Sequence, residues 1–142
     1  MADLSRFHTA QQYDYETALA EIKRGRKTSH WIWYIFPQIT GLGRSSMAEY
    51  YALKDLNEAI EYYNDPILRE RLVEISSALL ELSCNNPTAV MGWPDDLKLR
   101  SCMTLFRVAA PECSVFQAVL DKFFAGIPDK KTLQILGLAE EK

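Results

Sequence analysis

The strongest constraint on the fold is a repeated local grammar, in which a capping residue is followed by apolar residues spaced for one face of an α-helix. Asp65-Pro66 is the clearest case. The aspartate can take an orphan N–H of the first turn, and proline at the first helical position loses nothing by lacking its own. Leu68, Leu72, Ile75, Leu79 and Leu82 then form a stripe. Thr9-Ala10-Gln11-Gln12 reads as a capping box ahead of Tyr15, Ala18, Leu19 and Ile22, with Gly25 as the stop. Ser46-Met47-Ala48-Glu49 is a second box, and Leu53, Leu56, Ile60 and Tyr63 carry that helix to about Asn64.

The C-terminal third repeats the pattern. Asp95 or Asp96 can cap a helix that turns Leu99, Cys102, Met103 and Phe106 inward, with Leu97, Leu105 and Val108 widening its apolar face and Arg100, Thr104 and Arg107 on the wetter side. Pro111 restarts the chain, Phe116, Val119, Leu120 and Phe123 make the next stripe, and Gly126 ends it. Asp129 caps a short last helix through Leu136. No segment alternates with period two, and no Asn-Gly or Asp-Gly hairpin turn occurs. The expectation is an all-α fold of about six or seven helices with little or no sheet.

Size and charge agree with one domain over residues 1–142. At 142 residues, with 48% hydrophobic and 25% charged positions, the chain can bury a self-sufficient core. Sixteen Lys plus Arg against 19 Asp plus Glu leave a net charge of −3, too little for a field that attracts nucleic acid or an anionic membrane. Cys84, Cys102 and Cys113 are odd in number and widely spaced, which suggests reduced thiols rather than a disulfide framework or a zinc site. The N-terminal residues show no secretory pattern and the apolar run Trp31 to Phe36 is too short to span a bilayer, so the expected location is cytoplasmic.

One segment is too rich in chemistry to read as packing alone. Gly25-Arg26-Lys27-Thr28-Ser29-His30-Trp31-Ile32-Trp33-Tyr34-Ile35-Phe36-Pro37-Gln38 sets a basic cluster and a histidine against an aromatic run. The run is expected to form a short buried helix capped by Thr28 or Ser29. Free N–H groups and the positive end of its dipole would then make an anion pocket beside Arg26, Lys27 and His30.

These motifs, with Gly41-Leu42-Gly43-Arg44-Ser45 and Lys98-Leu99-Arg100-Ser101-Cys102-Met103-Thr104-Leu105-Phe106, closely resemble the DUF1810 family of small, mainly helical, bacterial-type proteins. The resemblance runs from Arg6-Phe7 to Asp129 and Thr132-Leu133. It implies one compact helical domain, and no function, since the family has none assigned. Ser101-Cys102 stands where the family pattern has a serine pair, which argues against an essential hydroxyl at Cys102. Met91-Gly92-Trp93-Pro94-Asp95 likewise replaces a phenylalanine-glycine pattern.

The candidate ligand-binding residues are Lys27, Ser29, His30, Trp31, Trp33, Gln38, Lys98 and Ser101. His30 can serve as acid, base or phosphate ligand, or simply as a hydrogen-bonded packing residue. Trp31 and Trp33 suit planar ligands, although large aromatics are also the usual core anchors. Lys98 and Ser101 are neighbours on one helix face, in the reverse of the order that acyl-serine enzymes use. Gly41-x-Gly43 lacks the rest of a phosphate loop and reads as a turn.

Two functions fit these residues. The first is a pocket for a small anionic or nucleotide-like ligand, with ADP-ribose or an NAD-type compound as a narrower version resting only on analogy. The second is a non-enzymatic protein-interaction domain with no small-molecule ligand. No catalytic motif, metal-ligand cluster or cofactor fingerprint decides whether chemistry accompanies binding.

Overall fold

A computed structural model describes residues 3–138, which form one compact helical domain. Among them the chain forms nine helices: α1 Ser5–Lys23, α2 Ile32–Ile35, α3 Ser46–Tyr51, α4 Leu56–Asn64, α5 Pro66–Leu80, α6 Pro87–Met91, α7 Asp95–Ala109, α8 Val115–Phe124 and α9 Lys130–Ile135. No strand occurs among the described residues. The extended segments around Ile39 and Leu53 meet in a single parallel bridge, through Thr40 N–H to the Leu53 carbonyl (2.8 Å) and Leu53 N–H to the Gln38 carbonyl (2.9 Å).

Helix α7 is the centre of the fold and packs against α8, α4, α6, α9 and α2, while α5 packs on α1, α4 and α8. An aromatic ladder ties these layers together. Phe7 of α1 meets Tyr62 of α4 edge-on at 5.1 Å, Tyr62 meets Phe106 of α7 at 5.4 Å, and Phe106 meets Phe116 of α8 at 5.8 Å. Each of these rings is fully buried, and offset or edge contacts of this kind add to their burial energy. Within the core the Gln11 amide is satisfied, donating to the Tyr34 carbonyl and the Tyr62 hydroxyl.

Several caps form where the sequence places them. Asp65 accepts from the N–H groups of Ile67 and Leu68, and Asp129 from Thr132, whereas α3 is capped one residue before the expected Ser46, by Ser45 accepting from Ala48 N–H. Gly25, at φ +83°, closes α1. Its N–H reaches the Ile22 carbonyl and that of Arg26 reaches Glu21, the paired bonds that satisfy a helix C-terminus through a left-handed residue.

Other boundaries differ from the sequence reading. Helix α1 starts four residues before Thr9, because Asp3 takes the N–H and hydroxyl of Ser5, so Thr9 lies exposed within the helix. The single helix expected from Ser46 to Asn64 is broken into α3 and α4. Leu53 leaves the helix for the bridge, and Asp55 caps the restart by accepting from Glu58 N–H at 2.9 Å. Helix α6 was not anticipated, although Asn86-Pro87 repeats the cap-proline logic of Asp65-Pro66. At α7 neither Asp95 nor Asp96 is the cap, since both stand in the first turn. Leu97 is 48% exposed rather than part of the apolar face, and Thr104, expected on the wetter side, is fully buried. Thr104 donates to the Arg100 carbonyl and accepts from Asp129 N–H, which pins the start of α9 to α7.

Candidate functional site

The loop leaving α1 folds back over a carboxylate. Glu21, in the last turns of α1, is 3% exposed and is surrounded by donors. Its Oε1 accepts from Thr28 N–H (2.8 Å), Ser29 N–H (3.0 Å) and the Trp31 indole (2.9 Å), and its Oε2 from the Ser29 hydroxyl (2.5 Å). Burial alone pushes its pKa up, but the bonds from Ser29, Thr28 and Trp31 outweigh that and bring it down to about 2. Thr28 and Ser29 therefore do not cap α2. That helix is only four residues long, begins after Trp31 and has no side-chain cap. The N–H groups expected to form an anion pocket hold the chain's own Glu21 instead.

Lys27 continues the same internal network. Its side chain is 5% exposed, and its ammonium donates to the Ser29 carbonyl at 2.5 Å, pairs with Asp95 Oδ2 at 2.7 Å and lies 4.9 Å from the Trp31 ring centre. Asp95 in turn faces Lys98, with its Oδ1 3.5 Å from that ammonium, and Lys98 sits 5.5 Å from the ring centre of Trp33. Trp31, Lys27, Asp95, Lys98 and Trp33 thus form one continuous chain of cation–π and ion-pair contacts between the loop and α7. Trp31 belongs to the core, whereas His30 is exposed and contributes only its carbonyl, to a long 3.4 Å bond from the Tyr34 hydroxyl.

The remaining candidates come together elsewhere. Gln38, Lys98 and Ser101 line a cleft of about 250 Å³ between the turn after α2, the start of α7 and the start of α9. Leu42, Gly43 and Ala48 form one wall of it, Pro94 and Leu97 another, and Asp129 and Lys131 the third. Ser101 spends its hydroxyl on the Leu97 carbonyl (3.1 Å), and Asp129 on the cap of α9. The Gln38 amide and the Lys131 ammonium have no hydrogen-bond partner among the described residues. Lys131 carried no signal in the sequence, where it is one of two adjacent surface lysines. Beneath the same turn runs a narrow slot of about 20 Å³, bounded by Trp33 and sharing Gln38, Leu42, Gly43 and Ala48 with the cleft.

No group of three or more His, Cys, Asp or Glu able to hold a metal occurs among the described residues. The cysteines there are all free, and the Cys102 thiol is buried, which raises its pKa well above the ordinary value. No described helix is long and apolar enough to cross a membrane.

Fold and site together define a compact all-helical domain with a surface cleft of mixed lining and, among the described residues, no recognised catalytic constellation. The chain belongs to the DUF1810 family, described as a protein family of unknown function, whose model matches residues 1–136. It is similar to the conserved hypothetical protein Rv1873 from Mycobacterium tuberculosis, known from a crystal structure. The two are 38% identical over 95% of this chain and 96% of that one, with a TM-score of 0.93. Comparison with curated proteins gives no match.

Proposed function

We propose that the cleft between the 38–48 turn and the first turns of α7 and α9 binds a small anionic ligand, with Lys98 and Lys131 holding its charge and Gln38 orienting it. The observation that carries this reading is the convergence on one concavity of side chains from three separate parts of the chain, two of them, Gln38 and Lys131, with unused donors. Of the residues first considered, Gln38, Lys98 and Ser101 line the cleft and Trp33 lies under Lys98. Lys27 and Ser29 support it from behind: Lys27 fixes Asp95, and Asp95 holds Lys98 at the cleft. Nothing in the site assigns a reaction.

A thermal-shift screen of nucleotides and sugar phosphates tests this directly, because a ligand that binds only the native state raises its stability by about 2.7 kcal/mol at a hundredfold excess over Kd. A hit should raise the melting temperature of the wild-type protein and of His30→Ala, whose side chain is exposed away from the network. It should not stabilise Lys98→Met. A panel in which nothing shifts the wild-type protein, or a hit that Lys98→Met keeps, defeats the reading.

A further inference from the structure

We infer that the indole N–H of Trp33 is a ligand-binding donor, and that the ligand is a small anion carrying a second acceptor oxygen, a carbonyl or carboxylate, on a short limb. The inference rests on the cleft reading above and adds the chemistry of the ligand.

Trp33 Nε1 is buried and has no hydrogen-bond partner. An unpaired buried donor costs about 1–3 kcal/mol, a cost that phenylalanine in the same place would not incur. The neighbouring tryptophan shows the contrast, since the Trp31 indole is satisfied by Glu21 at 2.9 Å. Trp33 forms a wall of the narrow slot that shares four residues, Gln38, Leu42, Gly43 and Ala48, with the cleft. The slot, at about 20 Å³, has room for one oxygen-sized group and not for a ring. The ammonium of Lys98 already lies over a face of the indole, so the open capacity of this side chain is its N–H rather than stacking on that face. An anion held at Lys98 can therefore send one acceptor limb into the slot as the turn at Gly41 to Gly43 gives slightly. A single phosphate has no such limb.

Two probes separate the possibilities: 3-phosphoglycerate, which has a phosphate and a carboxylate, and glycerol 3-phosphate, which lacks the carboxylate. In a proton–nitrogen spectrum of the three indole N–H groups, 3-phosphoglycerate should move the Trp33 signal downfield to saturation and leave that of Trp93, which is 75% exposed, in place. Trp33→Phe should weaken 3-phosphoglycerate about tenfold, the size of one hydrogen bond to a charged group, and leave glycerol 3-phosphate unchanged. If both phosphates stabilise the protein through Lys98 but the Trp33 signal stays still and Trp33→Phe changes neither affinity, the indole assignment is wrong and the cleft reading stands. If neither probe nor any other anion in the screen stabilises the protein, the cleft reading fails and the indole role falls with it. Should Trp33→Phe not fold, the wild-type titration decides alone, with the Trp33 signal assigned by its proximity to Lys98.

Discussion

At the scale of single residues, the carboxylate of Glu21 explains why a segment that looked like a binding loop is mostly scaffold. Four donors, from Thr28, Ser29 twice and Trp31, converge on it. Glu21→Ala leaves them unpaired in a buried place and should destabilise the fold by roughly 3 kcal/mol, measured by urea denaturation at neutral pH. The acid dependence follows from the same bonds. With the pKa lowered from 4.5 to about 2 on folding, the unfolded chain binds more protons between those values. The contribution is complete above about pH 4.5 and disappears as the pH falls through about 2. Glu21→Ala should therefore flatten the loss of stability between those pH values, and an unchanged acid profile would contradict the anchor. Glu21 was invisible in the sequence for a plain reason: a glutamate on a helix normally faces water, and its partners lie seven to ten positions further along. Lys27 and Asp95, far apart in the chain, are beyond any local pattern in the same way.

At the scale of elements, legibility followed how local the cause of each boundary is. Helix α5 could be read because its cap, its proline and its stripe lie within one contiguous stretch. Asp65 also receives a 2.7 Å bond from His8, so Asp65→Ala should cost about 1–2 kcal/mol, seen as a lower denaturation midpoint. The break between α3 and α4 could not be read, since Leu53 leaves helical geometry to pair with residues near Ile39 in another part of the chain. The turn facing that break is set by close approach. A Cβ added at Gly43 would stand 2.6 Å from the Ala48 Cβ, inside any real contact distance. Gly43→Ala should cost about 1–3 kcal/mol by overpacking, and it should also disturb ligand binding, because Gly43 lines both cleft and slot. Loss of stability with intact binding would separate the turn from the site.

At the scale of the whole molecule, the sequence pointed to one site on the aromatic segment and the structure divides that segment between two tasks. Its first half, Lys27 to Trp31, locks α1 to α7 through Glu21 and Asp95; in its second half Tyr34, Ile35 and Phe36 are core, while Trp33 lines the slot and Gln38 lines both slot and cleft. The aromatic ladder through α1, α4, α7 and α8 packs α7 into the core, and from α7 Lys98 and Ser101 line the cleft opposite a glycine turn. The all-α class was legible because helical periodicity is local, whereas the cleft depends on the meeting of three chain regions. This meeting place is where we propose that a small anion binds. Backbone amide shifts during titration with 3-phosphoglycerate test it most directly. Saturable changes are expected at Gln38, Leu42, Gly43, Lys98, Ser101 and Lys131, with residues 28–30 unmoved, and these changes should be lost in Lys98→Met. Saturable changes centred on residues 26–30 instead, or none anywhere, would contradict it.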